Sequence, residues 1–195
     1  MKNYSSVMKV HLALMIAMMC GTIGGAINFI VSFTNSAATK EKLSNITNTV
    51  LMAFILSMLA CGVVYLLKGY NKQAAPYYKA FLLLHVGVCA LTIIVDLCFY
   101  KVTPLLICIC VLTAFKGIDL LILTFGKDLG KQKTWTLFYV ILSIDIIALI
   151  LAVINMINVG FDFSFTGYVT GLIADGTIGL AVMGKYKNKE SRGSK

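Results

Sequence analysis

The chain has 195 residues, of which 59% are hydrophobic and only 13% charged, with a formal net charge of +9. Soluble domains carry roughly a quarter of their residues as charges, so composition excludes a surface that meets water all round. All the basic residues but Lys116 fall at the termini or in short segments between long apolar runs, which argues against a nucleic-acid partner and for a lipid bilayer.

A helix needs about 20 mostly apolar residues to cross the hydrocarbon core. Six stretches qualify, at about 10–33, 49–67, 80–100, 104–125, 136–157 and 165–184. Little chain is left over, so the expectation is one all-α integral membrane domain over 1–195, its six transmembrane helices arranged as three antiparallel hairpins. Span one follows Lys2 and Lys9 as a signal peptide would. Its apolar run outlasts a signal h-region, and it reads as a retained helix. Ala13, Ala17, Gly21 and Gly25 recur along it every four residues. Such a small-residue ridge lets backbones approach closely in lipid. It reads first as internal packing and second as the face of a homodimer.

Spans three and four are joined by Lys101, Val102 and Thr103, leading into Pro104. Thr103 can cap and Pro104 can fill the first helical turn, which forces an antiparallel pair. A faint repeat of about 57 residues relates the last two hairpins, placing Phe81 over Phe138. In span six, Gly167, Gly171 and Gly179 form a second small-residue ridge, with Asp175 in the vacant place between the last two.

The segments around Pro104, KGIDLLILTFGK and ADGTIGLAVMGK, together covering about 80–184, resemble the bacterial acid-resistance membrane protein family (HdeD-like). The resemblance implies a six-helix, stress-associated membrane protein and brings no catalytic residues with it.

Charge sets the orientation. With six spans, the two termini and the loops at 68–79 and 126–135 share one side, which holds thirteen of the 17 basic residues. The other side has Lys40, Lys42 and Lys101, and Lys116 lies within span four. Basic residues stay cytoplasmic, so the chain is expected in the cell membrane, multi-pass, with both termini inside. The basic tail at 185–195 could also hold anionic lipid headgroups, although a plain orientation signal explains it first. The NIT sequon at Asn45 falls on the opposite side.

The costly residues are few. A charge near the bilayer centre costs about 2.5–3.5 kcal/mol on insertion scales and is normally turned to a partner or to water. Span three carries His85 and Asp96, span four Lys116 and Asp119, span five Asp145 and span six Asp175. His85, Cys89, Thr92 and Asp96 fall on one helical stripe, as do Asp145, Ala148, Ala152 and Asn155. At about 1.5 Å per residue, His85, Lys116, Asp119, Asp145 and Asp175 all fall in the cytoplasmic half. Asp96 lies near the outer face, where Lys101 is its expected partner.

One ammonium cannot neutralise three carboxylates. Two readings stay open: a proton-linked or cation-binding site, as in a small transporter or channel subunit, and a paired, partly protonated cluster that fixes helix register. His85 and Cys89 lie one turn apart, but there is no HExxH, no GxSxG and no third orienting group, so an intramembrane enzyme is not expected. All six cysteines (Cys20, Cys61, Cys89, Cys98, Cys108 and Cys110) fall within spans. Without ligand spacing they read as buried apolar thiols, with no metal or other cofactor implied.

Overall fold

The computed structural model describes the backbone of residues 2–69, 73–126, 129–159 and 164–193, with side chains for 6–69, 73–126, 129–158 and 167–184. The regular structure in it is six α-helices: α1 (Lys2–Asn35), α2 (Thr39–Lys68), α3 (Ala75–Phe99), α4 (Pro104–Phe125), α5 (Lys131–Val159) and α6 (Ser164–Gly193). Each contains a stretch long and apolar enough to cross a membrane, and no strand occurs among the described residues. The protein is an all-helical, multi-pass membrane protein. The side chains of the basic tail at 185–195 lie outside the described residues.

The largest difference from the sequence reading is at the start of α2. An apolar run begins only near residue 49, yet the helix begins at Thr39. Its polar first turns are held by side chains that bond back onto the helix. Thr47 and Thr49 donate to the carbonyls four residues earlier, each at 2.8 Å, and Asn48 Nδ2 donates to Ser44 O at 3.0 Å. Asn45, the sequon residue, donates from Nδ2 to Ser36 Oγ at 3.2 Å and so ties this turn to the end of α1. Glu41 in the first turn complements the helix dipole. At its other end, α2 stops at Gly69, whose φ of 69° is the left-handed conformation that favours glycine. The Gly69 N–H caps Leu66 O there. The α3–α4 turn forms as its residues dictate: Thr103 Oγ1 accepts from Leu106 N at 3.1 Å, and Pro104 occupies the first turn of α4.

Each helix packs along its neighbour in sequence, and α1 also meets α6. α6 additionally touches α2 and α3, so it sits inside the bundle. Burial agrees, with 61% of its span buried against 17% of the α1 span. The apolar core is built from Met15, Met58, Leu59, Phe81, Leu120, Ile141 and Ile178. Where α6 passes α5, Gly179 leaves the space that Phe138 fills; a Cβ there would lie 2.8 Å from the ring.

The ridge on α1 is not the packing seam expected of it. Ala13, Ala17 and Gly21 are exposed, and of the four only Gly25 is buried. The inward face of α1 is instead Met15, Thr22 and Gly25, with Met18, Ala26 and Phe29 packed beside them. Flexible methionines fill this seam, and Met15 is completely buried. The thiols divide as well. Cys89 and Cys110 are buried and Cys61 half-buried, while Cys20, Cys98 and Cys108 lie on the outer surface of the bundle; all six are free.

Candidate functional site

Four helices each place one ionisable side chain at the same level of the interior: His85 on α3, Lys116 on α4, Asp145 on α5 and Asp175 on α6. They are 1%, 4%, 6% and 0% exposed. Lys116 Nζ donates to both carboxylate oxygens of Asp145, each at 2.7 Å. It also lies 2.8 Å from Asp175 Oδ2, as a second ion pair. His85 Nδ1 stands 3.5 Å from Asp175 Oδ1, too far for a good hydrogen bond. His85 Nδ1 and both Asp175 oxygens consequently have no hydrogen-bond partner among the described residues.

The reach of Lys116 depends on its neighbours. No Cα of α4 comes within 8 Å of one in α6, so long side chains join the two helices, Lys116 from α4 and Tyr168 from α6. The Lys116 side chain passes over Gly171, one turn before Asp175, where a Cβ would sit 3.3 Å from the ammonium. Glycine at 171 therefore serves the ion pair as well as the helix contact.

Charge balance gives the cluster its chemical character. Two carboxylates face one ammonium, and with His85 neutral the group carries one surplus negative charge in a medium that solvates charge poorly. One proton, on a carboxylate or on His85, cancels that surplus. It would also convert the 3.5 Å gap between His85 and Asp175 into a donor facing an acceptor. No group of three or more His, Cys, Asp or Glu side chains among the described residues is arranged to hold a metal ion.

The other expected residues are placed as follows. Asp119 is half-buried and takes no part in the ion pairs, because Lys116 turns across the bundle instead of along its own helix. Cys89 and Thr92 are buried beside the cluster and border a cavity of about 30 Å³ together with Lys116, Asp145, Thr113 and Tyr168. No hydrogen bond joins Cys89 to His85 among the described residues. Asp96 is 1% exposed and accepts from Tyr168 Oη at 2.9 Å. The expected surface pair with Lys101 does not form, and Lys101 is exposed. The buried Asp96 carboxylate is oriented by a phenol from α6. Asn155 accepts from Thr103 Oγ1 at 3.2 Å and so belongs to the α4 cap. Gly167 is half-buried, whereas Gly171 and Gly179 are buried.

Three polar residues of the interior lie outside the expected cluster. Tyr168 lies seven residues before Asp175, two helical turns away on the same face, and that spacing is the signal by which it could be found. Asn48 is 5% exposed in the polar stretch that reads as a loop. His11 is half-buried between helices, with Nε2 3.0 Å from Thr177 Oγ1. Its ring covers Gly176, where a Cβ would lie 2.6 Å from His11 Cε1. No protein-family model matches this chain, and no curated protein or solved structure matches it either.

Proposed function

We propose that this protein is a non-enzymatic, proton-binding protein of the cell membrane, associated with acid or other stress, in which the His85/Lys116/Asp145/Asp175 cluster takes up one proton. The observation that carries the reading is the sharing of a single ammonium by two buried carboxylates, with an unpaired imidazole nitrogen 3.5 Å from one of them. Protonation neutralises the cluster, and loss of the proton leaves a buried charge that strains the junction of α3, α4, α5 and α6. The resemblance of residues 80–184 to acid-resistance membrane proteins supports the same direction.

The segregation of basic residues supports cytoplasmic termini, and the short turns support an arrangement in three hairpins. The tail at 185–195 then meets the anionic cytoplasmic leaflet. The exposed Ala13, Ala17 and Gly21 edge of α1 is where a second copy would pack. A cation- or proton-coupled transporter is the second reading, favoured by the cavity beside the cluster.

The test is proton uptake by the full chain in lipid nanodiscs, followed by infrared difference spectroscopy as the medium is acidified. Wild type takes up a proton at the cluster, seen as a carboxyl or imidazolium band, and the band is lost in Asp145→Asn/Asp175→Asn. A double variant that titrates like wild type refutes the proposal.

A further inference from the structure

The four cluster residues have different surroundings on their two sides. One helical turn toward the end that holds both chain termini stand Phe81, Leu120, Ile141 and Ile178, one from each of α3 to α6. All four are 0% exposed. They form an apolar layer one turn beneath the cluster, and Tyr78, whose ring lies 6.3 Å from Phe81, is the phenol that faces Asp175 from that side. One turn the other way, the same helices present Cys89, Thr113, Ala148 and Gly171, which are small or polar. These residues border the cavity of about 30 Å³. A second cavity, of about 20 Å³, lies beyond it, where Asn48, Asp96 and Tyr100 stand among the apolar Leu51, Met52, Ile55 and Val95. The two share Thr92 and Gly167 as walls. At the partition Tyr168 borders the first cavity while its hydroxyl donates to Asp96 Oδ2 at 2.9 Å.

The sequence places the cluster in the cytoplasmic half, the side of the termini. The voids lie on the opposite side of the cluster. We infer that protons reach the cluster from the end of the bundle opposite the chain termini, along Asp96, Tyr168 and water held in these two cavities.

A water needs about 10–15 Å³ of such space and two or more polar partners. By that measure the first cavity has room for about two waters and the second for about one. The first offers His85 Nδ1 and the hydroxyls of Thr92 and Tyr168. His85 Nδ1, unpartnered and 1% exposed, is the acceptor at its inner end. Once Asp96 takes up a proton, the phenol, which donates to it at rest, turns its O–H to a cavity water. It then releases that proton to the water as Oη accepts the proton of Asp96, which leaves its O–H directed at Asp96 again, and the water protonates His85 or the Asp145 carboxylate. Every step exchanges one O–H or N–H bond for another, and no further reactant is needed. The charged and titratable groups facing this route are Asp96, His85 and Cys89 from α3, Tyr100 just after it, Cys110 and Lys116 from α4, Asp145 from α5, and Tyr168 and Asp175 from α6, while Tyr78 of α3 faces Asp175 from the termini side.

The inference rests on the cluster being a proton site, and its test separates the two. The full chain is placed in nanodiscs, acidified by stopped flow and followed through the cluster's infrared band. Tyr168→Phe removes the relay hydroxyl and keeps the ring. Gly167→Leu works differently, by filling space, since a Cβ at 167 meets nothing within 4 Å. Tyr168→Phe should slow protonation by about a hundredfold, the low end of what a positioned acid–base group contributes, and Gly167→Leu should slow it in the same direction. In proteoliposomes of fixed orientation, acid on the Asp96 side should act faster than acid on the termini side. Wild-type rates in both variants, or an equal or reversed side preference, overturn the route while the cluster reading stands. Absence of any proton uptake in wild type defeats the cluster reading itself.

Discussion

Lys116→Met replaces the only ammonium between Asp145 and Asp175 with an uncharged side chain of similar length. The contacts at 2.7 and 2.8 Å are each worth about 6 kcal/mol of gross attraction at an effective dielectric constant of about 20. Most of that is offset by the several kcal/mol needed to desolvate each ion. What the substitution exposes is the uncompensated part, two buried carboxylates with no counter-charge, and breaking a buried pair in this way costs about 3–5 kcal/mol. The assay is reversible unfolding of the purified protein in bicelles, with denaturant midpoints compared across variants. Lys116→Met should be the most destabilised single variant at the cluster. Asp175→Asn, which leaves one ammonium to one carboxylate, should lose much less. Lys116→Met combined with Asp145→Asn and Asp175→Asn should recover more than half of the loss, because no charge then remains buried. The reasoning is refuted if Lys116→Met costs less than about 1 kcal/mol, well below the range for a broken buried pair, or if the triple variant is no more stable than Lys116→Met.

Glycine positions give a paired test. Gly179→Ala pushes a methyl to 2.8 Å from the Phe138 ring and should cost about 1–3 kcal/mol by overpacking. Gly24→Ala enters open space and should be neutral or stabilising by up to about 1 kcal/mol; both are read from the same unfolding curves. Thr103→Val removes the α4 cap and the partner of Asn155. It should cost about 1 kcal/mol and speed amide exchange at Leu106, measured by hydrogen–deuterium exchange. His11→Ala breaks the contact with Thr177 and should cost about 1 kcal/mol. Its effect should vanish in a Thr177→Val background if that contact is the cause.

Much of the interior is legible from helical spacing. The stripe from His85 to Asp96 and the run of Gly171, Asp175 and Gly179 face inward because a polar or small residue every three or four positions defines one face. Spacing within a helix cannot say which residues of different helices share a level. The stacking of Phe81, Leu120, Ile141 and Ile178 beneath the cluster is a property of four relative heights, so the side on which the cluster opens was not readable. The α1 ridge misleads for a related reason. Lipid is as apolar as a packed interior, and small residues do not reveal whether a helix or an acyl chain lies against them. Nearness in sequence misleads at Asp119 and Lys101. Lys116 spans the bundle to reach carboxylates on other helices, and Asp96 is taken by a phenol 72 residues away.

The central placement of α6 has a consequence for biogenesis. It is the least apolar of the six spans and the last to be made, yet it carries Asp175 and fills the middle of the bundle. Until it arrives, Lys116 and Asp145 can pair one to one, while His85 borders an unfilled groove. Insertion of α6 is thus favoured by the ammonium already waiting for its carboxylate, more than by its own affinity for lipid. Chains cut before residue 164 would leave the ribosome with a neutral pair and an open groove. Such intermediates are natural clients for membrane chaperones and quality-control proteases.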